Sequence, residues 1–386
     1  MPTRVLSAAL IAAATLLASS GATAAPHLND TAIGFCIDGN GDFIDCAGTG
    51  QDAEYGRDVT QPRDRDGRVG FQFTKLCNSG EHAGEGSCPA KPKPGDAPSE
   101  WGCTRDEVTG LLWENKTKSG PRAGDRMYTF YSLEYNPDGQ YGGPNDVTGF
   151  LNSVNEAGLC GAHDWRLPKP TELMGIVDMG VIPMPPVDER FFPNTTANLY
   201  WGSGKALGFQ FEKELAWGSL FFFELGDISA QFRSGARPVR LVREGELSGK
   251  RFVISPDEQE VTDRLTGLTW RRCVEGQSFD GAQCAGTPLG VSWLDTLAHA
   301  LQQAHDTGVA WRLPNVKELA SLLEHEHLPH IDAKAFPGAK NDVLWTSSSF
   351  PTDPTPRCVD FPGGGTFACS QGVSGGFGSR LVRDRD

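Results

Sequence analysis

Apolar residues follow a helical period in two stretches of the chain. The longer stretch contains five apolar residues at the spacing of an amphipathic helix, namely Trp293, Leu294, Leu297, Leu301 and Ala304. Ser292 stands directly before them, where the first turn of a helix needs a hydrogen-bond acceptor. A shorter stretch with the same spacing begins at Phe150 and includes Leu151 and Val154. The pattern therefore predicts a helix after Ser292 and a shorter one around Phe150.

Other stretches predict short strands and two further helix starts. Residues 70–76 alternate between apolar and polar positions as a strand does. Thr-Gly pairs precede short segments that end in Trp113 and Trp270, which suits hairpins. Pro168 and Pro314 cannot lie inside a helix, so a second helix is expected to begin just after each of them.

The residues after each proline fit the N-terminus of a helix. Asn315 and Glu318 have the spacing of a capping box. Pro170 suits the first position of a helix, and Glu172 follows it closely. Two helices with short strands and Gly-rich loops predict an α+β fold.

These elements recur because the chain contains one pattern twice. Five blocks appear in the same order in both copies: 106–113 with 263–270, 165–168 with 311–314, 192–193 with 336–337, 200–203 with 344–347, and 240–243 with 380–383. The spacing between matching blocks falls gradually along the chain, so the order is kept while the loops shorten. Such ordered repetition indicates a tandem duplication of a domain of about 140 residues.

The repeated blocks resemble those of a known bacterial family. Their order is Thr-Gly-Leu-x-Trp, Trp-Arg-Leu-Pro-x-x-x-Glu-Leu, Trp-(Gly/Thr)-Ser and Arg-Leu-Val-Arg. It resembles the Lcl C-terminal domain family, a domain of unknown function named after the C-terminal part of a collagen-like adhesin. The resemblance covers residues 101–245 and 250–386, and it implies two tandem C-type-lectin-like domains. That fold is related to the formylglycine-generating (sulfatase-modifying) fold.

The resemblance implies little about function. Members of the family are surface or secreted proteins, and some of them bind sulfated polysaccharides and mediate adhesion. This chain lacks a Gly-X-Y collagen repeat, so the resemblance does not imply trimerisation by that route.

The N-terminal residues predict a targeting segment followed by an extension. Arg4 precedes an apolar run over residues 5–18, and Ala-Thr-Ala at 22–24 fits a cleavage site, so residues 1–24 are expected to be a signal peptide. A membrane anchor is the alternative, but the run is shorter than the roughly 20 residues that a span requires. Residues 25–100, rich in Cys, Gly and Pro, are expected to form an extension that packs on the first repeat.

Ten cysteines follow the predicted cleavage site, and their spacing is regular. The predicted pairs are four short loops and one longer one: Cys36–Cys46, Cys77–Cys88, Cys273–Cys284, Cys358–Cys369 and Cys103–Cys160. Zinc binding is the alternative, but the chain has no Cys-x-x-Cys spacing. Because disulfides persist in oxidising compartments, the protein is expected to be secreted, at the cell surface or periplasmic.

The charge of the chain narrows the choice of partners. With 35 Lys and Arg residues against 49 Asp and Glu residues, the net charge is −14. This acidity argues against nucleic acid and anionic membranes as main partners. No stretch after the N-terminal run is apolar enough to cross a bilayer, so the protein is not expected to span a membrane once the signal peptide is cleaved.

One loop has the composition of a calcium site. Asp38, Asn40, Asp42 and Asp45 place oxygen side chains at close spacing among glycines, which predicts a calcium-binding loop. The twelfth position, where a bidentate Glu is usual, is Thr49. The interpretation we favour is therefore a turn that needs no ion because a disulfide closes it, and the calcium-binding loop is the alternative. Apart from this calcium, no cofactor is expected.

The repeated Trp and Arg residues admit two interpretations. Trp165 and Trp311 have faces that suit a sugar ring, and the guanidinium groups of Arg166 and Arg312 match sulfate oxygens. The interpretation we favour is structural: the Trp fills the core and the Arg pairs with a carboxylate such as Glu172 or Glu318. In that case a ligand surface is expected in the long loops, residues 203–236 and 347–378. The candidate residues in those loops are Trp217, Leu220, Phe221, Phe222, Phe223 and Arg357.

No catalytic site is predicted. His325 and His327 lie on different sides of a helix at their spacing, so exposed polar residues at a helix end are expected there rather than a metal site. The chain has no Gly-x-Ser-x-Gly sequence, and every cysteine has a structural partner, so the cysteine chemistry of formylglycine-generating enzymes is not carried over.

The sequence therefore predicts an exported, non-enzymatic binding protein whose partner is a glycan or a surface protein. Carbohydrate binding or adhesion is the leading hypothesis, and the duplication would permit bivalent binding. A periplasmic or surface scaffold for protein–protein contacts is the alternative. An enzyme on a formylglycine-generating-type fold is the third hypothesis.

Overall fold

Short helices and antiparallel strands build an α+β fold in the computed structural model. It describes residues 28–62, 65–130, 143–180, 185–205, 215–220, 226–233, 235–244, 249–339, 342–351, 355–370 and 376–384. The predicted signal peptide lies outside these ranges. Within them, no helix has the length and apolar character that a membrane crossing requires.

The N-terminal part of the described chain forms few regular elements. They are the hairpin of β1 (Cys36–Ile37) and β2 (Phe43–Ile44), a 3-10 helix (Asp52–Glu54) and helix α1 (Arg57–Thr60). We call residues 28–62 the strap, because they lie across the second repeat and reach the core between the repeats.

The first repeat contains two larger sheets and two helices. Its strands are β3 (Phe73–Cys77), β4 (Trp101–Asp106), β5 (Leu112–Glu114), β6 (Tyr128–Thr129), β7 (Leu199–Lys205), β8 (Leu215–Leu220), β9 (Ile228–Phe232), β10 (Ala236–Arg237) and β11 (Val242–Arg243). Its helices are α2 (Val147–Ala157) and α3 (Pro170–Gly175), with a 3-10 helix (Leu159–Gly161) between them. The sheets have the orders β11-β5-β4-β3, β7-β8-β9 and β10-β6.

The second repeat has the same two larger sheets and two helices, but its two-stranded sheet is the hairpin of Gln277–Phe279 with Cys284–Gly286. Its strands are β12 (Phe252–Ile254), β13 (Glu260–Asp263), β14 (Leu268–Arg271), β15 (Gln277–Phe279), β16 (Cys284–Gly286), β17 (Val343–Ser349), β18 (Pro356–Asp360), β19 (Gly365–Ala368) and β20 (Val382–Asp384). Its helices are α4 (Trp293–Thr307) and α5 (Val316–Ala320). The sheet β20-β14-β13-β12 corresponds to β11-β5-β4-β3, and β17-β18-β19 corresponds to β7-β8-β9.

The predicted helices are confirmed, and local chemistry explains their ends. The hydroxyl of Ser292 accepts a hydrogen bond from the Asp295 amide, which caps α4 at its start, and Gly308 with φ of 68° ends it. Trp293 and Leu297 of α4 are buried in the second repeat. Leu294, predicted on the same apolar face, is instead 41% exposed, because only one side of the helix meets the sheet.

The predicted hairpins also form. Strands β4 and β5, and equally β13 and β14, are joined by turns in which Gly110 and Gly267 have φ of 73° and 76°. A side chain at these positions would be strained, which is why the Thr-Gly pair recurs.

All five predicted disulfides are present, and no cysteine is free. Four of them close loops of ten or eleven residues, while Cys103–Cys160 joins β4 to the 3-10 helix after α2. Each short loop is expected to add about 2–3 kcal/mol of stability by restricting the unfolded chain.

The segment predicted as an N-terminal extension on the first repeat contacts both repeats. Strand β3 belongs to it and forms the edge of the first repeat's sheet beside β4. The strap contacts the second repeat, where Ile37 packs with Trp293 and Leu297. The physical reason is burial, because Ile37 is fully buried by apolar side chains of the second repeat.

The two repeats share one apolar core. Helices α3 and α5 pack against each other, so Leu173 of the first repeat and Leu319 of the second lie in the same buried cluster. Ala32 and Ile33 of the strap complete this cluster. The repeats are therefore joined by a continuous hydrophobic core rather than by a linker alone.

Buried polar contacts cross the same boundary. Arg357 Nη1 donates to Asp227 Oδ1 at 2.6 Å, and the hydroxyl of Thr366 donates to the same oxygen at 3.0 Å. Lys317 of α5 donates to the carbonyl oxygens of Gly175 at 3.2 Å and Val177 at 2.6 Å, which are carbonyls at and beyond the C-terminal end of α3. These contacts fix the orientation of one repeat against the other.

Removing one partner of the buried ion pair should strongly destabilise the protein. We expect Arg357→Met to lower the free energy of unfolding by about 3–5 kcal/mol, because Asp227 keeps a buried charge without its cation. Denaturant unfolding measures this change. Arg243→Met, which breaks an ion pair with Asp164, a carboxylate that is 66% exposed, serves as the control and should cost less than about 1 kcal/mol. Equal effects of the two substitutions would contradict the assignment.

Candidate functional site

The repeated Trp-Arg-Leu-Pro blocks form a matched pair of ion clamps. Arg166 donates from both terminal nitrogens to the two carboxylate oxygens of Glu172, each at 2.8 Å. Arg312 makes the same bidentate contact with Glu318, at 2.6 and 2.7 Å. The structural interpretation of these arginines is therefore confirmed, since both guanidinium groups are engaged by the scaffold.

Each clamp also fixes the start of a helix. Glu172 Oε2 accepts from the amide of Lys169, and Glu318 Oε2 accepts from the amide of Asn315. Asn315 accepts in return from the Glu318 amide, which completes the predicted capping box. Pro170 occupies the first position of α3, as predicted.

The clamps are connected to the other repeated blocks by backbone hydrogen bonds. Arg166 exchanges two backbone hydrogen bonds with Val242 of the final Arg-Leu-Val-Arg block, and Arg312 exchanges two with Val382. The remaining links join the Trp-(Gly/Thr)-Ser blocks to the prolines: Ser203 N to Pro168 O at 2.7 Å, and Ser347 N to Pro314 O at 2.8 Å. The same bonds occur in both copies, so the recurrence of these blocks reflects the scaffold.

The first arginine of each Arg-Leu-Val-Arg block is fully buried. Arg240 donates to the carbonyl of Glu114 at 2.8 Å and lies over the Phe192 ring at 5.3 Å. Arg380 donates to the Arg271 carbonyl and lies over Phe336. Burial lowers the pKa of both arginines, to about 10 for Arg380. These side chains hold the fold together and are not available to a ligand.

The candidates in the long loops have different outcomes. The prediction that Arg357 belongs to a ligand surface is wrong, because its side chain has no exposed surface and pairs with Asp227 of the other repeat. Residues 221–223 of the predicted Phe run lie outside the described residues. Trp217 and Leu220 belong to strand β8. The structure describes their backbone but not their side chains.

One partly exposed cluster in the first repeat combines aromatic and cationic side chains. The Phe130 ring packs edge-on against the buried Trp201 at 5.5 Å, and the Arg233 guanidinium lies 4.8 Å from the Phe130 centroid. Arg237 lies 5.8 Å from the Trp201 centroid and donates to Gln231 Oε1 at 3.4 Å. We call these residues the aromatic–arginine surface.

Strand β9, the β10–β6 ribbon and the repeated Trp position this surface. Gln231 lies on β9 and Arg237 on β10, which pairs with β6 so that Arg237 faces Tyr128. Partial burial lowers the pKa of Arg233, because it disfavours the charged guanidinium. The sequence analysis placed a ligand surface in residues 203–236 but did not identify Phe130 or Arg237. Alignment of the two copies would have indicated Arg237, because the matching residue in the second copy is not an arginine.

The second repeat replaces the arginine with an aromatic residue. Phe377 precedes Arg380 by three residues, as Arg237 precedes Arg240. Its ring lies 4.9 Å from Trp345, the counterpart of Trp201. Phe367 stands beside it, 37% exposed. The two copies thus carry different chemistry on the same part of the scaffold.

The predicted calcium loop forms a hairpin closed by Cys36–Cys46. Asp38 Oδ1 accepts from the amides of Asn40 at 2.8 Å and Asp42 at 2.9 Å, while Asp45 Oδ1 accepts from the Ala47 amide. The hydrogen bonds from the Asp42 and Asn40 amides lower the pKa of Asp38. Within the described residues, no three His, Cys, Asp or Glu side chains converge as metal ligands. Calcium binding at Asp38, Asn40, Asp42 and Asp45 stays a prediction.

The histidine segment differs from its prediction. His325 was expected at an exposed helix end, but it is buried, and so is His330. His325 Nε2 lies 2.9 Å from the Gly364 carbonyl oxygen, and burial lowers its pKa to about 4. His327 is exposed and lies beside Glu324. Helix α5 ends at Ala320, before these histidines, so they do not lie at a helix end.

Comparison with known proteins agrees with the duplicated fold, which defines a disulfide-stabilised tandem α+β protein. The Lcl C-terminal domain matches twice, over residues 102–243 and 259–383, so the chain belongs to the Lcl C-terminal domain family. No curated protein and no solved structure matches the chain.

The two clamps should differ in strength. We expect Glu318→Gln to lower the free energy of unfolding by about 3–5 kcal/mol, since Arg312 is then left as a buried cation whose remaining carboxylate partner, Asp384, is 83% exposed. The matched Glu172→Gln should cost about 1 kcal/mol, because Arg166 remains 28% exposed and water screens its charge. Denaturant unfolding of both variants measures the difference, and a larger loss for Glu172→Gln would refute this ranking.

A calcium titration tests the loop. We expect melting temperatures in calcium and in EDTA to agree within about 1 °C, because the loop's own amides already occupy the Asp38 carboxylate and the disulfide closes the turn. If calcium instead raises the melting temperature, and Asp42→Asn abolishes that rise, the loop is an ion site.

Proposed function

We propose that this protein is an exported, non-enzymatic binding protein whose first repeat binds an anionic glycan through the aromatic–arginine surface. The observation that carries the proposal is the difference between the copies. Residues that recur, such as Trp201, are used by the scaffold, whereas Arg237 is replaced by Phe377 in the second copy. Function is expected where a duplicated scaffold differs, because its two copies need the same core but not the same ligand.

The chemistry of this surface suits a charged sugar. The Phe130 ring offers an apolar face to the C–H groups of a pyranose, and Gln231 supplies an amide for hydroxyl groups. Arg233 and Arg237 are guanidinium groups whose planar forks match sulfate or carboxylate oxygens. Two guanidinium groups are thus brought together on a protein whose net charge is −14.

Export and the lectin-like fold are parts of the same proposal. The predicted signal peptide and five disulfides favour an oxidising compartment, whether medium, cell surface or periplasm. We also propose a C-type-lectin-like fold for each repeat, supported by two helices, antiparallel sheets and long loops. The absence of an enzymatic role is proposed because all ten cysteines are engaged in disulfides.

A protein–protein scaffold is the second candidate, and the second repeat favours it. Phe367 and Phe377 put two aromatic rings at the position where the first repeat has Arg237. An apolar pair of this kind suits a protein partner better than a charged sugar. The protein would then bind a glycan with one repeat and a protein with the other, instead of binding one ligand bivalently.

A glycan array with matched variants tests the proposal. We expect binding to sulfated or uronic-acid glycans, and a loss of at least about tenfold for Arg237→Phe, which copies the second repeat at this position. Arg264→Ala, at an exposed turn of the second repeat, is the control and should bind as the wild type does. Failure of the wild-type protein to bind any glycan would overturn the glycan hypothesis, and capture of an envelope protein would then favour the scaffold.

A further inference from the structure

The strap covers a face of the second repeat that the first repeat leaves open. Ile37 packs against Trp293 and Leu297, and a Cβ on Gly50 would lie 3.4 Å from Leu301. The strap thus lies along α4 and reaches the start of α5. In the first repeat the residue that matches Asn315 is Lys169, and it is exposed.

Carboxyl groups make the polar contacts of the strap. Asp52 Oδ2 accepts hydrogen bonds from the hydroxyl of Ser348 at 2.5 Å and from that of Thr31 at 2.8 Å. Asp30 Oδ1 accepts from Asn315 Nδ2 at 3.1 Å, so the strap contacts the capping residue of α5 directly. Asp58 donates from its amide to Asp30 Oδ2 at 3.3 Å, which brings the third carboxyl group to the cluster.

The groups around this cluster are mostly acidic. Asp30, Asp52 and Asp58 are buried together on the strap, and Glu318 of α5 adds a fourth carboxylate. Asp106 and Asp178 of the first repeat stand further along the same boundary, near Lys317. The cations are Lys317, which donates to the Asp30 carbonyl at 2.6 Å, and Arg312, which is clamped by Glu318 and lies 5.8 Å from the Tyr55 ring.

Burial and mutual repulsion favour the protonated carboxyl groups. Burial, and then the charge of Asp30, raise the pKa of Asp52 to about 7 and that of Asp58 to about 9. Burial lowers the pKa of Lys317 to about 8, against the attraction of the surrounding aspartates. Lys317 therefore loses its positive charge in the same pH range in which Asp52 and Asp58 become negatively charged.

The direction of the pH effect follows from these shifts. A carboxyl group whose pKa is higher in the folded state than in the unfolded chain stabilises the fold at acid pH, and this stabilisation is lost as the pH rises through the folded value. The loss extends from about pH 4 to about pH 7 for Asp52 and to about pH 9 for Asp58. Lys317 has the opposite effect on stability. Because its pKa is lowered in the folded state, the cost of burying its charge is relieved as the pH rises above about 8.

We propose that the strap is a pH-sensitive cover of the second repeat, held in place while its buried carboxyl groups are protonated and released as they ionise. Release uncovers Asn315 and Ser348 at the start of α5, on the face that is already open in the first repeat. The two repeats then present equivalent faces at alkaline pH and unequal ones at acid pH. The release is local, because β3 continues to hold the chain to the first repeat and because α3 and α5 still pack against each other when Ala32 and Ile33 leave the shared core.

Hydrogen exchange of the intact, disulfide-bonded protein tests this proposal. Exchange rates are measured at pH 6 and pH 9 and divided by the rates of the unfolded chain at the same pH. We expect the protection of strap amides to fall at least about tenfold between these values, while amides of α2 in the first repeat change by less than about threefold.

Substitution of the carboxyl groups supplies the control. Asn mimics a protonated Asp in size and hydrogen bonding, so Asp52→Asn with Asp58→Asn should keep the strap protected at both pH values. Asp280→Asn, at an exposed turn, should retain the pH dependence of the wild type.

The proposal is overturned if strap protection in the wild type is equal at both pH values, or if α2 loses as much protection as the strap. It is equally overturned if the folded double variant still loses protection at pH 9. Should the double variant not fold, the wild-type profile alone decides.

Discussion

The apolar core between α3 and α5 is the constraint on which the rest of the structure depends. Each helix is short, with six residues in α3 and five in α5, and too few to be stable alone. Both bury their apolar side chains in one cluster that neither repeat encloses by itself. The strap contributes Ala32 and Ile33 to the same cluster. A separate repeat would leave this surface in water, which the hydrophobic effect opposes.

The repeated blocks gain a common explanation from this arrangement. In each copy the final Arg-Leu-Val-Arg block contacts the Thr-Gly-Leu-x-Trp strand, the Trp-Arg-Leu-Pro block and the Phe-Pro block. Glu114 N to Leu241 O and Arg271 N to Leu381 O are equivalent bonds, both at 3.0 Å. Replacing the buried Arg240 or Arg380 would also leave the backbone carbonyls of another block without partners, which costs about 1–3 kcal/mol for each group. Duplicated copies therefore keep these residues whatever ligand they bind.

The sequence predicted what local chemistry determines. Helix α4 followed from its period and its Ser292 cap, the hairpins from their glycines, and the disulfides from regular spacing. The arginine clamps were predictable because Glu172 and Glu318 stand six residues after their partners. Contacts between distant segments were not predictable: Asp30 and Asn315 are 285 residues apart, and Arg357 is 130 residues from Asp227. The aromatic–arginine surface combines separate stretches of the chain, so no local pattern indicates it.

The shared core limits how the two copies act in function. Ligands on the two repeats would be held at a fixed distance, because α3, α5 and the strap leave no free linker between them. Calorimetry of the intact protein tests this claim most directly. A single endotherm is predicted, with a calorimetric enthalpy within about 10% of the van't Hoff enthalpy, because both repeats lose their core together. Two separate endotherms, one for each repeat, would contradict it.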